Sequence, residues 1–106
     1  MRGTPSLSNK ERIVLELLIN TPASKYGLQL VDKSRGRLKR GTVYVTLGRM
    51  EQKGLIESQQ EPAPAGQGGL PRRLYRATGH GIRVLQVYDD MARALAGGRE
   101  WVMDAQ

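Results

Sequence analysis

The sequence predicts a mainly α-helical domain that carries one small β-hairpin, and three observations predict it. Four segments repeat apolar residues at spacings of three and four, the period of a helix with one buried face. Two short extended runs, near residues 55–60 and 71–77, flank a decapeptide too rich in Pro and Gly for regular structure. A chain of 106 residues also fits one domain, large enough for a modest core without covalent staples.

Taken in order, residues 1–7 are expected to be disordered. Ser8 opens a capping box with Glu11, each side chain satisfying the other residue's backbone N–H. A first helix then runs to about Asn20 with Ile13, Val14, Leu17 and Leu18 facing the core, and Thr21-Pro22 ends it. Ser24 is placed to cap a second helix, whose Tyr26, Leu30 and Val31 face inward and which Gly36 closes. Arg37, Leu38 and Lys39 are too few for a helix and are expected to form a short extended segment. A third helix starts near Gly41, buries Val43, Leu47 and Met50, and stops at Gly54. The hairpin strands follow, from Leu55 to Gln60 and from Pro71 to Ala77. Thr78 caps the last helix, whose stripe is Ile82, Leu85, Tyr88, Met91, Ala92 and Leu95. Gly97-Gly98 should end or kink it before a short segment bearing Trp101 and Val102.

Composition narrows the functional classes. The chain has no cysteine, which excludes disulfides and thiolate metal sites and fits a reducing cytoplasm. No run approaches the ~18 apolar residues of a membrane span. The net charge is +7, and it is concentrated. Residues 25–53 hold Lys25, Lys33, Arg35, Arg37, Lys39, Arg40, Arg49 and Lys53 against Asp32 and Glu51, a net of +6. Residues 79–106 have a net of −1. A basic segment beside a near-neutral tail is the footprint of a polyanion binder.

The third helix lies inside that segment. Thr42, Thr46, Arg49 and Lys53 recur at i, i+4, i+7 and i+11, opposite the apolar stripe. Small hydroxyls and cations on one face suit a DNA groove, since threonine bonds bases or phosphates and arginine forks onto guanine. The competing reading is a solvated outer face, the default for any surface helix.

Helix, helix, third helix, hairpin is the order of a winged helix-turn-helix domain, and the particular residues resemble the PadR family of bacterial transcriptional regulators. The resemblance rests on Ile13 to Leu18 before Thr21-Pro22, on Tyr26-Gly27-x-x-Leu30, and on Gly41-Thr42-Val43-Tyr44 followed by Leu47, Met50, Glu51 and Gly54-Leu55-Ile56. Pro71-Arg72-Arg73-Leu74-Tyr75-Arg76-Ala77-Thr78 and Gly81 complete it, over roughly residues 9–88. Val45 stands where the family usually has proline, and Ala77 where it has a larger aliphatic residue. The resemblance implies a DNA-binding domain over residues 8–78 and a dimerisation helix over 79–106. It further implies a homodimer that binds a pseudo-palindromic operator and usually represses a nearby gene, often in response to a small molecule, while the composition points to the cytoplasm. Two-fold symmetry would place the two reading helices ~34 Å apart.

The candidate DNA contacts are Lys25, Lys39, Arg40, Thr42, Tyr44, Thr46, Arg49, Lys53, Gln67, Arg72 and Arg73. Lys39 and Arg40 precede a helix N-terminus, which already favours phosphate. Tyr44 could equally pack against the second helix, and Arg72 and Arg73 could simply keep a strand edge soluble. The candidate dimer surface is Leu85, Tyr88, Met91, Ala92 and Leu95, although the stripe could also cover the first helix. Trp101 could line a pocket for a flat hydrophobic effector or merely pack the helix end. His80 has neither cysteine nor a carboxylate cluster beside it, and Asp89 and Asp90 point apart on a helix. Gly66-Gln67-Gly68-Gly69 lacks the lysine and strand–helix setting of a phosphate loop. No catalytic group, metal site or cofactor is expected. The alternative function is a winged-helix module that docks on protein without reading DNA.

Overall fold

A computed structural model describes residues 7–21, 25–61 and 72–104, with side chains as far as residue 96. The elements are α1 (Asn9–Asn20), β1 (Lys25–Tyr26), α2 (Gly27–Lys33), α3 (Val43–Gln52), β2 (Ile56–Glu61), β3 (Arg72–Ala77) and α4 (Gly79–Asp104). The strands form one antiparallel sheet in the order β1-β3-β2. In β2–β3, Ile56 faces Ala77 and Glu61 faces Arg72; β1 adds Lys25 opposite Tyr75.

The core is where α1, α2, α3 and the start of α4 converge on one face of this sheet. Val14, Leu15, Leu30, Leu38, Val43, Leu47 and Met50 are almost fully buried within it, and Leu55, Ile56, Tyr75, Val84 and Leu85 close its sides. The capping box at α1 is formed: Ser8 Oγ accepts from the Glu11 N–H, and Glu11 Oε1 accepts from the Ser8 N–H. α3 ends as expected, with Gly54 in the left-handed region at φ +76°. Thr78 Oγ1 accepts from the Gly81 N–H at 2.9 Å, and so caps α4. A Cβ at Gly81 would lie 2.0 Å from the Leu55 carbonyl oxygen, so only glycine lets α4 start this close to the link between α3 and β2.

Several expectations are corrected. Leu7 is not outside the fold: its N–H donates to the Tyr88 hydroxyl at 2.8 Å and its side chain packs on the core. Residues 1–6 and Ser24 lie outside the described residues. Tyr26 is the last residue of a short strand rather than part of a helix, and its N–H is satisfied by Gln29 Oε1. Residues 37–39 form no extended segment. Buried Ser34 shapes a turn there, its Oγ donating to the Val31 carbonyl at 2.8 Å and accepting from the Leu38 N–H at 2.9 Å. That turn drives Leu38 into the core between α2 and α3. At the other end, α4 runs without a break through Gly97 and Gly98 to Asp104.

Candidate nucleic-acid interface

The α2–turn–α3 unit presents one side of α3 to solvent. Tyr44 is 51% exposed and Val45 57%, while Gly48, Arg49 and Gln52 are also exposed, together with Lys39, Arg40, Gly41 and Thr42 just before the helix. Thr42 is the N-cap residue, yet its hydroxyl makes no capping bond and stays available. Among the described residues, Lys25, Lys39, Arg40 and Arg49 form no ion pair, whereas Arg12, Lys53, Arg76 and Arg93 are each held by a carboxylate. Unpaired cations beside a free helix N-terminus make a surface ready for phosphate.

Two of the predicted contacts turn elsewhere. Thr46 is buried, and its hydroxyl donates to the Thr42 carbonyl one turn back at 3.3 Å, so it offers nothing to a groove. Lys53 reaches away from the outer face, its Nζ 2.9 Å from both Glu11 carboxylate oxygens. Burial alone would raise the Glu11 carboxyl, but the Ser8 N–H and Lys53 outweigh it and hold it below the ordinary carboxylate range. This pair ties the C-terminus of α3 to α1. The outward face of α3 is therefore rotated from the predicted 42/46/49/53 stripe towards 45, 48, 49 and 52.

Where β3 meets α2 and α3, the structure brings Tyr44, Arg72 and Arg73 together around a cleft of about 620 Å³. Tyr26, Leu28 and Tyr75 complete its apolar part, and Asp32 stands at its edge. Gly27 makes room for the Tyr44 ring, whose atoms lie 2.7–2.9 Å from where a Cβ would be. The Arg72 guanidinium stacks 4.4 Å from the centre of the Tyr26 ring. The Tyr26 hydroxyl donates to Glu61, which pushes its phenol above the ordinary value; burial does the same for Tyr75. Arg73 is oriented by Ser58 Oγ at 3.0 Å and Gln60 Oε1 at 3.2 Å. Tyr26, Leu28 and Tyr75 carry no signal of a site in the sequence, because only the β1–β3 pairing brings them beside Tyr44. Gln67 lies outside the described residues.

The C-terminal candidates also divide. Leu85 is turned into the chain's own core and Tyr88 is half-buried there, so neither is a free contact surface. Met91, Ala92 and Leu95 are exposed, Leu95 at 72%, and Val87 joins them on the open side. The Trp101 side chain lies outside the described residues. Among the described residues, no three His, Cys, Asp or Glu groups are placed to hold a metal, and no helix is long and apolar enough to cross a membrane.

Three helices with an exposed third helix, followed by a two-stranded wing, define a winged helix-turn-helix domain, here extended by a long terminal helix. The chain belongs to the transcriptional regulator PadR-like family, whose model matches residues 14–87. It is thus a DNA-binding transcriptional regulator. Its structure is similar to a PadR family transcription regulator from Clostridium difficile, at TM-score 0.69 and 25% identity over 91% of this chain and 99% of that one. A PadR family regulator from Eggerthella lenta gives TM-score 0.65 and 27% identity over 89% and 83% of the two chains. A PadR-like transcription factor from Bacteroides fragilis, 21% identical, shares the fold at TM-score 0.69, over 86% of each chain. Among curated proteins, none matches this sequence.

Proposed function

We propose that the protein is a homodimeric repressor that binds a pseudo-palindromic operator in the bacterial cytoplasm. The observation that carries this reading is the set of cations without an ion pair among the described residues, Lys39, Arg40 and Arg49, on and just before the exposed face of α3. Phosphate contacts from Lys39 and Arg40 supply affinity, and Lys25, Arg72 and the Tyr44 hydroxyl extend the grip along the backbone. Arg49 reaches base edges, together with Thr42 at the helix start. Thr46 and Lys53 position α3 and do not touch DNA.

Dimerisation is assigned to the outer part of α4. Val87, Met91 and Leu95 recur every fourth residue and remain exposed, Val87 on the side of α4 turned from the core and the other two beyond Tyr88, its last core contact. A helix carrying such a stripe is stabilised by a second apolar surface, and a second copy of α4 offers one. Selection of bound sites from random DNA by the full chain tests both parts. The expected result is one short motif repeated as an inverted pair about one helical turn apart. Recovery of no motif, or of an unpaired motif only, contradicts this reading.

A further inference from the structure

Two residues on the outward face of α3 depart from what the helix itself would favour. Val45 is 57% exposed, although a β-branched apolar side chain gains nothing from water and loses freedom in a helix. Gly48 is helical and exposed, and a Cβ added there would meet nothing within 4 Å. Alanine would fit that space and would hold the helix better. No contact within the described residues explains either choice. Local choices that weaken their own element tend to mark functional surfaces.

The two residues lie at i and i+3, and so share one face. Arg49 borders them on one side and Tyr44 on the other. Gly41, also exposed with open space around it, continues the bare strip towards the helix start. Val45, Gly48 and Gly41 themselves offer no charge for a phosphate and no hydrogen-bonding side chain for a base edge; the nearest amide on this face is Gln52, one turn beyond Gly48. The strip offers two methyl groups and a close approach of backbone. Among the groups that base pairs present in the major groove, the thymine C5-methyl is the apolar one.

We propose that Val45 and Gly48 together select a thymine in the operator. Val45 packs its methyls against the C5-methyl, and the missing side chain at Gly48 lets α3 sink far enough for that contact. The proposal rests on the DNA-reading function above and deepens it. Arg49, four residues beyond Val45, then addresses a neighbouring base pair, so the selected thymine lies within a step or two of the position that Arg49 reads.

The test uses the full chain and the site it selects from random DNA. Each thymine of a half-site is replaced in turn by deoxyuridine, which keeps the pairing and removes only the methyl. One replacement should weaken binding about fourfold, the effect of withdrawing one buried methyl. Val45→Ala should reduce that sensitivity to below twofold while still preferring the rest of the site. Gly48→Ala should melt at the same or a higher temperature, yet bind the selected site at least tenfold more weakly. A Val45→Ala protein as sensitive to deoxyuridine as the parent overturns the proposal, as does a Gly48→Ala protein of unchanged affinity. A selected site with no methyl-sensitive thymine sinks this inference alone. Failure to select any site removes the DNA-reading premise as well.

Discussion

α3 and α4 each bury one face and leave the other to solvent, but what they expose differs in kind. α3 and the turn before it show cations that have no carboxylate partner among the described residues, a hydroxyl that makes no capping bond and a stretch nearly bare of side chains. The exposed part of α4 shows Val87, Met91 and Leu95, and its Arg93 is already neutralised by Asp90. A surface shaped for a polyanion keeps its charge unspent, because each neutralised phosphate releases counterions. A surface shaped for a second protein does better with charge cancelled and aliphatic area open. One fold thus presents two unlike faces, joined where the start of α4 meets Leu55, in the link from α3 to β2.

Breaking that joint should have the largest effect. Gly81→Ala forces a methyl onto the Leu55 carbonyl and should cost about 3 kcal/mol, seen as a fall in melting temperature of more than about 10 °C. Next comes the tie that anchors α3 from behind. Glu11→Gln removes the charge facing Lys53 and should cost about 2 kcal/mol, discounted because Lys53 remains partly in water. The pH dependence follows from the lowered Glu11 value. The parent's advantage over Glu11→Gln is full above the ordinary glutamate range and fades as pH falls through the lowered folded value. Denaturant melts of both proteins between neutral and acid pH check this.

The two exposed faces are then separated by substitution. Leu95→Glu should weaken self-association about thirtyfold, or ~2 kcal/mol, in sedimentation equilibrium, with the thermal stability of the domain little changed. Arg49→Ala should lower the preference for operator over random DNA about tenfold without altering association. Thr46→Val, close in shape and turned inward, should leave operator affinity within about twofold of the parent. A large drop there would return Thr46 to the groove and undo the rotated face of α3.

The sequence was legible where local chemistry is decisive. The Ser8–Glu11 box, the Gly54 stop and the Thr78 cap each follow from residues a few positions apart. The phase of α3 was harder to read. Period alone puts Thr42, Thr46, Arg49 and Lys53 on one line, but two tertiary facts move the outward face. A threonine can bury its hydroxyl cheaply by bonding to the carbonyl one turn back, and Lys53 finds a buried carboxylate 42 positions away. Neither is visible along the chain. β1 is invisible along the chain because two residues, Lys25 and Tyr26, leave no alternating pattern; only the neighbouring strand defines them. Leu85 is ambiguous for a related reason, since an apolar stripe does not say which of its turns meets its own core.

The proposed grip on the duplex depends most on Lys39 and Arg40, just ahead of α3. Its most direct test is the salt dependence of operator binding for the parent and for the Lys39→Ala/Arg40→Ala double variant. With about four fewer phosphates neutralised by the proposed dimer, the log–log slope should flatten by roughly 3.6, at about 0.9 per phosphate. A slope unchanged by the double substitution would contradict this grip, because the charge preceding the helix would then not be meeting DNA.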